Sequence, residues 1–195
     1  PSRELYKFFD REGNTLVLRP DFTPSVSRAC ATYFNPEKEV VSLCYTGNTF
    51  INNSSYQGRL KESTQMGVER MGDDSAEADA ELLAMTVECL LASGLTDFQV
   101  SVGQVDYFRS LLEQARMSPE DEEQLRSFVS MKNYFGVEEL VERLGIDQKV
   151  GNALAQLPRM FGSSDVLEKA KALTQEPKAL QAVVRLEEIY QILKI

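Results

Sequence analysis

Residues 4–9 and 15–19 alternate apolar and polar positions around a polar turn, Asp10-Arg11-Glu12-Gly13-Asn14, which is the pattern of a hairpin. Pro20 breaks the run. Thr23 followed by Pro24 then reads as a helix N-cap with proline in the first helical position, and Val26, Ala29, Cys30 and Tyr33 recur at helical spacing. A helix is therefore expected to leave directly from the end of the second strand. Val40 to Thr46 is a β-branched and aromatic run ended by Gly47, and after a polar loop, Asn52 to Gly58, residues 60–69 alternate again, so antiparallel pairing across that loop is expected. Asp74 or Ser75 caps a long helix with Ala80, Leu83, Val87, Leu90 and Leu91 on its buried side and Gly94 as its stop. Phe98 to Val102 reads as a short strand. From about Gln104 the pattern is helical: Ser118-Pro119 opens one helix, Gly136 and Gly145 punctuate the next, Pro158 breaks another and Pro177 opens the last. The pattern predicts an α+β fold, an antiparallel sheet carrying 60–69 in its interior and flanked by helices, with residues 1–103 as a core and 104–195 as a separate helical region.

Composition narrows the chemistry. With 195 residues, 43% hydrophobic and 26% charged, the chain is long enough to bury a real core. Cys30, Cys44 and Cys89 lie far apart, which suggests neither a disulfide framework nor a zinc ribbon and favours a reducing cytosol. No apolar run approaches the ~18–20 residues of a membrane span, so neither membrane insertion nor secretion is expected. Histidine is absent, which removes Ser-His and Cys-His nucleophiles and imidazole metal ligands. No catalytic residue, metal or cofactor is assigned on this basis. The net charge is −9, about −1 of it in residues 1–75 and about −8 in 76–195, a balance that argues against a phosphate-tracking surface.

Two segments carry candidate chemistry. In the strand over 60–69, Lys61, Ser63, Gln65, Gly67 and Glu69 share one face, while Leu60, Glu62, Thr64, Met66 and Val68 share the other. Gln65 and Glu69 thus point the same way, roughly 13 Å apart by strand rise, with a glycine opening space between them. Such a face suits a small polar ligand, although a solvated sheet face alternates in the same way. In Leu18-Arg19-Pro20-Asp21-Phe22-Thr23, strand hands over to helix, and Asp21, Thr23 and the unpaired N–H groups of the helix start could grip an ammonium and a carboxylate together. Equally, Asp21 could complement the helix dipole while Thr23 caps the helix.

Together these segments resemble the class II histidyl-tRNA synthetase family, in which an LRPE-type strand-to-helix segment precedes motif 2, a strand–loop–strand unit returning through QxGxE. Here the first is LRPDFT at 18–23 and the second runs over 45–69, with QGR at 57–59 and QMGVE at 65–69. The intervening SRA at 27–29 matches too, so the resemblance covers about residues 1–103 and implies a class II synthetase-like sheet. It also implies that the helical rear is an insert ahead of motif 3. Motif 1 and motif 3 are not found, and the chain starts at Pro1 without an initiator methionine, so it is expected to be part of a longer product.

Departures from the family pattern bear on activity. The motif 2 arginine that contacts the ATP α-phosphate in the family would fall at Ile51, and its neighbouring glutamate at Asn53. An aliphatic side chain offers no donor fork to a phosphate. By resemblance, Asp21 and Thr23 would hold a histidine α-ammonium, Gln65 its polar end and Glu69 the imidazole N–H, with Arg59 as an accessory. A kept amino-acid pocket beside a lost nucleotide clamp resembles the synthetase-like regulatory subunits of ATP phosphoribosyltransferase. That family implies a non-catalytic, cytoplasmic protein without tRNA charging, self-associated as a synthetase-like dimer, in a hetero-oligomer with the short-form ATP phosphoribosyltransferase catalytic subunit and with L-histidine as effector. Two other readings share the motifs. An active synthetase fragment is disfavoured by Ile51 and the acidic balance, and a scaffold without a ligand site by the retention of Asp21, Thr23, Gln65 and Glu69.

Overall fold

The computed structural model describes residues 5–52 and 58–193. The chain divides into two compact units, residues 1–78 and 79–195.

In the first unit, strands β1 (Lys7–Phe9) and β2 (Thr15–Val17) form the expected hairpin, in the register Phe8 opposite Leu16. The Asp10 carboxylate closes its turn by accepting the amides of Glu12 at 3.0 Å and Asn14 at 2.8 Å. Helix α1 (Thr23–Tyr33) follows. Strands β3 (Val41–Phe50) and β4 (Glu62–Met71) pair antiparallel over their whole length, so β3 runs three residues past Gly47, where the sequence pattern ended it. Backbone pairing with β4 carries it through the glycine. Among the described residues β4 pairs with β3 alone, so 60–69 do not lie in the interior of a broader sheet. Phe98 to Val102 forms no strand either. Alternation defines two faces, but a strand also needs a neighbouring backbone to take its N–H and C=O groups.

Helix α2 (Ala76–Ala92) crosses the boundary between the units. Of the two expected caps it uses Ser75, whose hydroxyl accepts the Ala78 amide at 3.2 Å. Full burial falls on Ala76, Ala78 and Ala80, so the expected stripe is sealed only at Ala80, with Leu83, Val87 and Leu90 half-buried and Leu91 49% exposed. Helical spacing identifies a face without fixing how far along the helix that face is covered. Ahead of the cap, Asp73 accepts the Ser75 amide at 3.1 Å and pairs with Arg70 at 2.9 Å. Hydrogen bonds from Ser75, then from the Arg70 guanidinium, hold the Asp73 carboxyl down to about 2, against an ordinary 3.8. A carboxylate depressed by folding stabilises above its ordinary pKa, and that contribution is lost as pH falls through the folded value. Asp73→Asn is therefore expected to lower the melting temperature at pH 7 and to converge on the wild type near pH 2; an equal deficit at both pH values would contradict the linkage.

The second unit is helical: α3 (Val105–Ala115), α4 (Pro119–Ser130), α5 (Tyr134–Leu144), α6 (Gln148–Gln156), α7 (Asp165–Ala172) and α8 (Pro177–Leu193), with a 3-10 turn at Leu157–Arg159 around Pro158. Helices α3 to α6 are capped by local polar side chains. Gln104 accepts from Asp106 at 2.8 Å, Ser118 from Asp121 at 3.2 Å, Asn133 from Gly136 at 3.0 Å and Asp147 from Lys149 at 2.9 Å. Gly145 ends α5 in the left-handed conformation, φ 61°, which costs glycine nothing. Leu111, Leu125, Val137, Leu140, Leu154 and Val183 form the centre of the core. Tyr107 joins that core with its one polar atom satisfied, since its hydroxyl donates to the Ala170 carbonyl at 2.9 Å, and burial pushes its phenol pKa up.

Candidate functional site

The site is built where α1 starts against the β3–β4 ribbon. Thr23 was expected to cap α1, but the helix begins at Thr23 itself, after Phe22, and no side chain caps it in that way. The Thr23 hydroxyl instead donates to Glu69 Oε1 at 2.5 Å, while Asp21 Oδ1 accepts the Thr23 amide at 3.2 Å. A carboxylate is a stronger acceptor for that hydroxyl proton than the neutral groups nearby. Asp21 thus steadies the helix start, and Thr23 ties it to a strand 46 residues further along the chain.

The pairing register sets the rest of the face. Gln65 lies opposite Gly47, Gly67 opposite Tyr45 and Glu69 opposite Leu43. Gln65, Gly67 and Glu69 are half-buried, whereas Met66 on the other face is 71% exposed, so the polar side of β4 is the covered one. Phe22 covers it: 8% exposed, it stacks on Tyr45 with centroids 4.6 Å apart and planes inclined by 19°. The two glycines make this possible. A Cβ on Gly47 would lie 2.5 Å from the Phe22 ring, and one on Gly67 would collide with the Tyr45 ring. The space at Gly67, expected to be left for a ligand, is therefore filled by the Tyr45 ring, and the Tyr45 hydroxyl accepts a hydrogen bond from Gln65 Nε2 at 3.3 Å.

Asp21, Thr23 and Glu69 are joined by hydrogen bonds, whereas Gln65, four residues before Glu69 on the same face of β4, is held by Tyr45. Arg59 is exposed. Ile51 sits just past β3, its amide donating to the Lys61 carbonyl at 2.9 Å, and its side chain offers no polar atom. Asn53 lies outside the described residues. Phe22 and Tyr45 were not singled out in the sequence, although a glycine inside each strand is the usual mark of a ring or backbone approaching closely. Among the described residues no group of three or more His, Cys, Asp or Glu side chains could hold a metal ion, and no helix is long and apolar enough to cross a membrane.

The family model for histidyl-tRNA synthetase matches residues 1–195. The chain belongs to the histidyl-tRNA synthetase family. The likeness thus runs through the helical residues 104–195 as well as the front that carries the motifs. This synthetase-family chain is 37% identical over 193 residues to the ATP phosphoribosyltransferase regulatory subunit of Clostridium acetobutylicum, an overlap of 98% of this chain and 47% of that protein. The crystal structure of an ATP phosphoribosyltransferase regulatory subunit/histidyl-tRNA synthetase from Bacillus halodurans C superposes with a TM-score of 0.87 at 32% identity, covering 100% of this chain and 50% of that one. A histidine–tRNA ligase subunit from Alicyclobacillus acidocaldarius shares the fold at a TM-score of 0.69 and 20% identity, over 98% of this chain and 57% of that one. The synthetase-family chain spans about half the length of the curated relatives it matches.

Proposed function

We propose that this chain is the core of a regulatory subunit of ATP phosphoribosyltransferase, required for the first step of histidine biosynthesis, with L-histidine as its effector and no adenylating activity of its own. Residues 1–103 are the class II core in this reading and 104–195 a helical insert. The observation that carries it is the contrast within one site. Asp21, Thr23, Gln65 and Glu69 line one face as an amino-acid site would need, while Ile51 stands where a phosphate-binding arginine would be. Loss of such a clamp removes about 3–4 kcal/mol of transition-state stabilisation by analogy with deleted oxyanion donors, enough to suppress adenylation. The likeness to named regulatory subunits points the same way.

The partner in this proposal is the short-form catalytic phosphoribosyltransferase, in a cytoplasmic hetero-oligomer built on a synthetase-like dimer. Isothermal titration of the full-length protein should show L-histidine binding and no histidine-dependent binding of ATP with magnesium. Coexpressed with the catalytic subunit it should co-purify, and it should support no histidine-dependent pyrophosphate exchange. Exchange at an ordinary enzyme's ~1–10³ per second would overturn the regulatory reading in favour of a synthetase.

A further inference from the structure

A cleft of about 580 Å³ lies within the helical unit, in the size range of small-molecule sites. Three elements converge on it. Helix α3 supplies Ser110 and Glu113 and ends there at Arg116, which takes the left-handed conformation at φ 50°. Helix α6 supplies Val150 and its capping residue Asp147, and Glu176 stands at the start of α8, its carbonyl accepting the Leu180 amide at 3.0 Å.

Ser110 lines this cleft at 2% exposure, and among the described residues its hydroxyl has no hydrogen-bond partner. The other buried residues of α3, Tyr107, Leu111 and Leu112, belong to the core cluster, and Ser110 does not. A polar atom buried without a partner costs free energy that a ligand bonded to it would recover.

The surrounding charge says which kind of ligand. Three carboxylates line the cleft against one guanidinium. Glu113 is offset by Lys178 at 3.0 Å, whereas among the described residues neither Asp147 nor Glu176 has an ion-pair partner. Asp147 gives one oxygen, Oδ1, to the amides of Lys149 and Val150, and Glu176 is half-buried. Arg116 is exposed at the rim, where solvent screens its repulsion of a cation. Among the described residues no three carboxylates come close enough to hold a metal ion, so a compact ion is poorly suited. A cation with its charges spaced along an aliphatic chain meets the two carboxylates separately and lays its methylenes against Val150.

We propose that the cleft binds an aliphatic diamine or polyamine, with one ammonium donating to the Ser110 hydroxyl and the Glu176 carboxylate and another to Asp147. Nothing in it depends on the amino-acid reading of the first unit. Isothermal titration of the full-length protein with spermidine at low salt should show saturable binding, about tenfold tighter than magnesium measured in the same way. In Ser110→Ala and in Glu176→Gln the affinity for spermidine should fall by about tenfold. Glu120→Gln, which removes an exposed carboxylate from the first turn of α4 outside the cleft, should leave it unchanged. If Ser110→Ala fails to fold, Glu176→Gln decides the matter alone. Absence of saturable spermidine binding would overturn the proposal, as would unchanged affinity in the cleft variants. Equal weakening in Glu120→Gln, or magnesium binding as tightly as spermidine, would reduce the effect to diffuse attraction by an acidic surface and overturn it as well.

Discussion

Leu154→Ala is expected to destabilise the helical unit by about 2–5 kcal/mol, the range for deleting a buried leucine side chain from a packed core. Leu154 lies in α6 at 0% exposure, within the cluster that includes Leu111, Leu125, Leu140 and Val183. The loss combines the transfer free energy of the removed carbons with the cavity left behind, because neighbours held by several helices relax only in part. Urea denaturation should show a lower midpoint with an unchanged slope, since the surface exposed on unfolding is hardly altered. Leu91→Ala provides the contrast. At 49% exposure in the last turn of α2 it should fall within about 0.5 kcal/mol of the wild type, as surface changes do. Equal losses at the two positions would mean that the cost comes from leucine as a helix former and not from packing.

At the site, Asp21→Ala or Glu69→Gln is expected to weaken histidine binding by roughly 1–3 kcal/mol, because each removes the charged acceptor of a desolvated donor. A typical allosteric coupling is ~1–3 kcal/mol in all, so feedback by histidine on the assembled complex should be largely lost in either variant. Uninhibited activity should stay near the wild-type level, as neither side chain is assigned to ATP or phosphoribosyl pyrophosphate. Glu69 also accepts the Thr23 hydroxyl, so its replacement loosens the junction between α1 and β4. A carboxylate facing the imidazole favours its protonated form, so affinity should rise as pH falls towards about 6.5, the unperturbed imidazole pKa. Inhibition curves for the wild type and both carboxylate variants at two pH values test this. Unchanged midpoints in both variants would place the effector elsewhere.

The elements that were legible in the sequence are those governed by local chemistry. Ser118-Pro119, Gly145 and Pro177 each act within one turn of backbone, and each marks a helix boundary in the structure, whereas Gly136, also expected to punctuate a helix, lies inside α5. The even spacing that puts Gln65 and Glu69 on one face is equally local, since it follows from the strand pleat. What could not be read depends on partners distant in the chain. Thr23 has the right position for a cap, yet its proton goes to Glu69, a choice fixed only when β4 arrives beside α1. Gly67 signals space in a strand, but whether a ligand or a ring fills it depended on the register that set Tyr45 opposite. Phe98 to Val102 has strand-like alternation, yet among the described residues no strand pairs with it.

The two units bury interiors of very different size. In the helical unit a continuous cluster of large side chains is sealed from solvent, whereas among the described residues of the first unit full burial is confined to Phe22, Cys30, Val41, Thr49, Ala76 and Ala78. Backbone amides open with free energies that follow this distribution. Deuterium should enter β1 and β2 within the shortest labelling times, while the amides of α5 and α6 wait for cooperative unfolding of their unit. A ligand seated on Asp21 and Glu69 would therefore act on the weaker half of the chain. At a hundred times its Kd it adds about 2.7 kcal/mol to whatever state binds it, so it should slow exchange in α1, β3 and β4 by a large factor.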